Sequence, residues 1–346
     1  MKVDAMVNAA PLRTIQEIAT DAERAGFSGI VVTESGRTAY LTCLAATLAA
    51  PSLDLATGVA VAFPRSPMVT AATAWELAEV SGGRFRLGLG TQVRAHIERR
   101  YSAEFDHPGP RLREYVLALR SIFGAFRGVE KLAFDGDFYS LSLLPREWSP
   151  GPIDVADPPI DVAAVNPWTL RMAGEIADGV HVHPMNTPTY LRETVLPSLA
   201  EGAGRAGRDA EELTVIVPCF TAVGDTDEER HAFREWARIQ LSFYGSTPNY
   251  AFIFDQVGGE GTTAALRERQ KAGDMLGMAS VIDDDLLSHF VVEGTWDELP
   301  ERIVDRYHGT ADRVVLYMAG GTWMRGDRDT FAKFGEVARA VVDRTG

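Results

Sequence analysis

The chain has 346 residues, 46% of them hydrophobic, which is enough to bury one large core or two ordinary ones and excludes a disordered protein. Its 48 acidic and 34 basic residues give a net charge of −14, which excludes broad nucleic-acid binding, because neutralising phosphates needs a basic surface. Cys43 and Cys219 lie far apart in apolar segments, so they read as reduced thiols of a cytoplasmic protein and exclude a disulfide framework or a CxxC metal motif.

Strand and helix patterns alternate from the first residues. Residues 3–7 read as a strand with Asp4 inside it, not as an export signal, and no later 18-residue apolar run suggests a membrane span. The first helix covers 14–25, where Ile15, Ile18, Ala19, Ala22 and Ala25 recur at helical spacing and Gly26 supplies the stop. Next come a strand at 29–33, a helix at 41–50, a strand at 55–61, a helix at 67–81 opened by Pro67, and a strand at 84–90. Residues 111–127 form a strongly amphipathic helix, and 128–159 break the rhythm as a long loop with room for a hairpin. Strands at 160–165, 180–183 and 213–223 then alternate with helices at 167–177, 190–206 and 227–243. Mixed helical pieces fill 245–285, followed by a helix at 295–307, a last strand at 313–318 and a terminal helix at 329–344.

Eight apolar strands separated by helices describe an α/β protein with a (β/α)8 TIM barrel; a doubly wound open sheet is the other arrangement this pattern allows. Without a shared repeat or a linker composition, residues 1–346 read as a single barrel domain with insertions near 128–159 and 245–285. Active sites of this architecture lie at the carboxyl ends of the strands. The residues to inspect are therefore Asn8, Glu34, 60–63, 91–96, Asn166, 181–183 and those after Met318. They contain no nucleophile with an obvious base partner, which favours chemistry borrowed from a cofactor.

Gly58 interrupts the third strand, and a mid-strand glycine marks a bulge or a close approach to a ligand. Gly88-x-Gly90 follows a strand, but Val93 stands where a dinucleotide fingerprint has its third glycine. Thr91, Arg94 and His96 are candidates for holding a phosphate, with Arg99, Arg100, Arg111 and Arg113 adding charge nearby. His181-x-His183 places two imidazoles on one face of a strand; no series of further ligands completes a metal site, so the pair is expected to orient a substrate or cofactor. Glu34 is either a general acid/base or the partner of Arg37. Trp75, Trp148, Trp168 and Phe63 form either an apolar cup or core.

The Thr57-Gly58-Val59 strand, the Arg65-Ser66-Pro67 turn, the run from Glu76 through Ser81-Gly82-Gly83-Arg84-Phe85 to Gly90, and Ala173-Gly174-Glu175-Ile176-Ala177-Asp178-Gly179-Val180 resemble the luciferase-like monooxygenase superfamily. The stretches Gln92 to Tyr101 and Arg113-Glu114-Tyr115-Val116 are most similar to the actinobacterial coenzyme F420-dependent oxidoreductases. The resemblance implies a homodimeric barrel that binds F420 or FMN, with a cis bond at Gly58–Val59 against the ring. It implies cofactor contacts from Gly58, Val59, Ala60, Thr91, Gln92, Arg94, His96, Ala164, Val165, Asn166 and His181. Proton handling falls to Glu34 or His183, and no metal is expected. Ser35 and Val93 replace a His and a Glu of the F420-dependent sugar-phosphate dehydrogenases, so their substrate does not carry over. The implied activity is hydride transfer between F420 and a small organic substrate. An FMN monooxygenase using reduced flavin and O2, and a non-catalytic ligand-binding barrel, are the alternatives.

Overall fold

The computed structural model describes residues 1–346. Eight strands form its centre: β1 (Lys2–Asn8), β2 (Gly29–Thr33), β3 (Asp54–Thr57, resumed at Ala60–Val61), β4 (Phe85–Gly90), β5 (Ile160–Ala164), β6 (Gly179–Val182), β7 (Thr214–Val223) and β8 (Arg313–Leu316). Every neighbouring pair is parallel, and β8 returns to β1 with Lys2 opposite Arg313, so the sheet closes into a barrel. Closure explains the near-continuous apolar runs, because one strand face meets the barrel interior and the other meets helices.

The outer layer includes α1 (Leu12–Ala25), α2 (Ala39–Ala49), α3 (Pro67–Val80), α4 (Pro108–Arg127), α5 (Pro167–Ile176), α6 (Leu196–Arg205), α7 (Asp227–Gly245) and α8 (Arg328–Thr345). Their ends follow local chemistry. Gly26 adopts φ +103° and closes α1 by donating to the carbonyls of Ala22 and Glu23. Ser66 accepts from Val69 N–H ahead of Pro67 at the start of α3, and Thr226 with Glu229 makes a reciprocal capping box on α7.

The main apolar core lies between barrel and helices, while Met6, Val31, Ala56, Ile216 and Val315 form a separate cluster inside the barrel. Near the amino ends of the strands the interior is ionic. Arg86 donates to both oxygens of Asp161 (2.9 and 2.6 Å), and Arg313 donates to both oxygens of Asp4 (2.8 and 2.7 Å) and to Asp54 (2.8 Å). Both guanidiniums have their carboxylate partners in place, the condition under which buried charges are tolerated.

The third strand is interrupted at Gly58–Val59, whose peptide bond is cis as the resemblance implies. Three features differ from the sequence reading. A strand at Val291–Gly294 pairs beside the end of β7; four residues are too few to display a period. A short helix, Ala319–Met324, follows β8, and the helix expected at 190–206 is distorted by a π turn at Leu191–Val195 before α6. Residues 128–159 contain a two-stranded hairpin (Phe134–Asp135 with Ser140–Leu141), and 245–285 contain short helices, among them Ala251–Asp255 and Thr262–Lys271. No helix is long and apolar enough to cross a membrane.

Candidate active site

At the carboxyl end of the barrel, Met6, Val31, Gly58, Val59, Ala163, Ala164, Val165, Val182, Pro184, Pro218 and Val315 surround a cavity of about 140 Å³ with His181 and His183. The imidazoles are the only titratable side chains in this lining. Two glycines make the close packing possible. A Cβ on Gly58 would stand 2.2 Å from Val31 Cγ1 and 3.4 Å from His181 Cε1. A Cβ on Gly88 would stand 1.9 Å from the Thr57 carbonyl oxygen and 2.6 Å from His181 Nε2.

His181 is 7% exposed, and its buried Nε2 has no hydrogen-bond partner; Asp161 Oδ2 is 3.9 Å away. Burial, reinforced by the Arg86 guanidinium, pushes its pKa down to about 3, so the ring is neutral at physiological pH. His183 is neutral for the same first reason, burial, again with a pKa of about 3. Its Nδ1 accepts the Met185 N–H at 3.1 Å, which assigns the proton of the neutral ring to Nε2. Tyr244 and Tyr250 pack on that ring with centroids at 4.8 and 4.4 Å, and Tyr244 shares a 2.6 Å hydroxyl contact with Tyr317.

Of the residues expected in the site, Gly58, Val59, Ala164, Val165, His181 and His183 come together in this cavity. Ala60 does not: it is fully buried in the main core, because the break in β3 resets which side chains face inward. Glu34 pairs with Arg65, not Arg37. Its Oε2 accepts Val61 N–H (2.7 Å) and Arg65 Nη1 (3.0 Å), while Oε1 accepts Arg65 Nη2 (2.5 Å). The carboxylate therefore fastens the resumed half of β3, and this full set of partners argues against a proton-transfer role.

Asn166 caps α5 through Thr169 N–H (3.0 Å) at an exposed position. Thr91 is half-buried, and Gln92, Arg94 and His96 are exposed on the segment after β4. Gln92 has φ +58° and accepts Val93 N–H, and Arg94 pairs with Glu98 at 2.6 Å. The wider basic group is dispersed. Arg100 donates to the Ser35 carbonyl, Arg111 lies over Phe63, and Arg113 approaches Glu175 at 3.5 Å. The proposed aromatic cup is absent: Trp75 and Phe63 are core, Trp148 is 80% exposed and Trp168 is 46% exposed.

A family model for the luciferase-like monooxygenases matches residues 1–313. The chain belongs to the luciferase-like monooxygenase family. An uncharacterized protein of Mycobacterium tuberculosis is 39% identical over 298 residues, covering 86% of this chain and 88% of its own length. The 5,10-methylenetetrahydromethanopterin reductase of Methanolobus tindarius is 28% identical over 299 residues, covering 85% and 86%. Among solved structures, the coenzyme F420-dependent tetrahydromethanopterin reductase of Methanopyrus kandleri superposes with a TM-score of 0.79 at 18% identity, covering 100% of this chain and 99% of its own. The oxygenating constituent of a type II Baeyer-Villiger monooxygenase, 3,6-diketocamphane monooxygenase of Pseudomonas putida in complex with FMN, superposes with a TM-score of 0.64 at 15% identity, covering 100% and 98%.

Solved structures of the same fold thus include an F420-dependent reductase and a monooxygenase in complex with FMN. The cavity suits the flat apolar part of such a cofactor: its walls are mainly aliphatic residues, and Gly58 carries no Cβ there. No group of three or more His, Cys, Asp or Glu side chains gathers as for a metal ion. A larger cavity, about 570 Å³, lies at the opposite face of the barrel beside Lys2, Leu213, Thr310 and Asp312. None of the buried polar side chains that lack partners lines it, and it is at the amino ends of the strands, away from where barrels do chemistry.

Proposed function

We propose that this luciferase-like enzyme is an F420-dependent oxidoreductase that moves a hydride between the deazaflavin and a small, uncharged organic substrate. The observation that carries the reading is the cavity itself: an apolar slot against Gly58 and Val59 whose only titratable side chains are two neutral imidazoles. Nothing in that lining can act as a nucleophile or a carboxylate base, so the reactive group is brought in from outside the chain. When bound, the deazaflavin supplies or accepts the hydride.

The protein's part is positioning and exclusion of water. Gly58, Val59, Ala164, Val165 and His181 hold the ring. Thr91, Gln92, Arg94, His96 and Asn166 take the polar tail, with Arg94 contributing positive charge at the rim. Glu34 acts indirectly, by holding Val61 and Arg65. His183 faces the substrate. An FMN-using monooxygenase is the second reading, supported by the FMN-bound fold neighbour. We further propose a cytoplasmic homodimer, on the buried free thiols of Cys43 and Cys219 and on the exposed Leu41, Leu48 and Val69 of α2 and α3. Anaerobic turnover tests the assignment: reduced F420 is oxidised in the presence of an acceptor substrate and enzyme, with no oxygen requirement. Oxygen-dependent turnover with reduced FMN alone favours the second reading, and binding without turnover of any substrate favours a ligand-binding barrel.

A further inference from the structure

We propose that His183 selects the substrate by chemical class: an uncharged carbonyl compound whose oxygen accepts a hydrogen bond from His183 Nε2–H. The inference rests on the oxidoreductase reading and specifies the substrate of the same site. Three observations support it. The Met185 N–H occupies Nδ1, so Nε2 is the nitrogen that bears hydrogen, on a ring that lines the cavity and has no protein acceptor for it. The ring is also held in place, with Tyr244 on one side, Tyr250 on another, and Tyr244 tied to Tyr317. A donor with fixed direction and no internal partner is suited to a ligand oxygen.

Beside His183, the part of the lining not assigned to the ring, which includes Met6, Val31, Val182, Pro184, Pro218 and Val315, also has no Lys, Arg, Asp or Glu. A carboxylate or ammonium placed there would lose its water without gaining a counter-ion, a cost of several kcal/mol per ion. Tyr244 lies in the last turn of α7 and Tyr250 closes the short turn Pro248–Tyr250 that follows it, so this connection supplies the aromatic side of the site.

The test uses the purified full-length protein and three probes of similar shape: acetophenone (neutral acceptor), benzoate (charged) and toluene (no acceptor). Their affinities are read by ligand-observed NMR, and the His183 tautomer by nitrogen-15 imidazole shifts. The expected result is a neutral Nε2–H ring whose nitrogen shift moves on adding acetophenone, with benzoate bound at least about a hundredfold more weakly. H183F should weaken acetophenone about tenfold, the value of one hydrogen bond, and leave toluene unchanged. H183N, which keeps an N–H donor, should recover part of the loss. Benzoate bound as well as acetophenone, or an unchanged acetophenone-to-toluene ratio in H183F, overturns the proposal. Parallel F420 titration separates the two claims. Normal F420 binding with failed ketone selectivity defeats this inference alone; selective ketone recognition without F420 binding defeats the cofactor assignment alone.

Discussion

Replacing Glu34 by alanine is the sharpest probe of how the site is held. The change removes the acceptor for Val61 N–H and for both Arg65 nitrogens at once. The Glu34 side chain is 4% exposed and that of Arg65 is 22% exposed, so the remaining guanidinium is only partly able to recover its water. Removing one partner of a buried ion pair costs about 3–5 kcal/mol. Arg65 keeps its bond to the Val61 carbonyl (3.1 Å), a contact to Thr38 Oγ1 (3.4 Å) and the face of Tyr40 (5.0 Å), which place the expected loss near the low end, about 3 kcal/mol. E34A and R65A should not add, because the double variant leaves no stranded charge; their coupling should be about 2 kcal/mol. Urea unfolding of the four proteins, followed by tryptophan fluorescence, measures this. A loss below about 1 kcal/mol for E34A, or additivity within about 0.5 kcal/mol, refutes the claim that Glu34 is a buried anchor.

Gly58→Val should abolish F420 binding in a fluorescence titration, because its first side-chain carbon would lie 2.2 Å from Val31 Cγ1 and intrude on the ring's face; the overpacking costs about 1–3 kcal/mol of stability. His181 titrates near 3 when folded against 6.5 for an ordinary histidine, so between these values the unfolded chain binds the extra proton. Its contribution is therefore fully present above about pH 6.5 and is lost as pH falls toward 3, at up to about 1.4 kcal/mol per pH unit, and urea midpoints across that window should fall less steeply in H181Q. Arg94→Ala removes an exposed pair with Glu98 and a contact over the Phe105 ring at 5.1 Å, so stability should change by no more than about 1 kcal/mol while F420 affinity drops and becomes less salt-dependent.

The barrel was readable because its evidence is local. The strands are apolar on both faces, and Gly26, the Ser66-Pro67 pair and the Thr226 and Glu229 box mark helix ends within a few residues. The two-residue period also put His181 and His183 on one side of β6, and both line the cavity. What depended on distant partners was not readable. Arg37 is three residues from Glu34, but the charge that reaches it is Arg65, 31 residues away in sequence, beyond α2 and β3. Tyr244 and Tyr250 pack on His183, and Tyr317 holds Tyr244, from three segments that share no motif. Trp75 looked available for a ligand, yet it sits on the inner face of α3, stacked on Phe123 at 5.4 Å. Ala60, the first residue of the resumed half of β3, lies in the main core and not in the cavity.

The measurement that bears most directly on the central claim is a parallel fluorescence titration of the purified protein with F420 and with FMN. Saturable F420 binding, no FMN binding over the same range, and loss of the F420 signal in G58V are expected. Tight FMN binding with no F420 response would contradict the central claim.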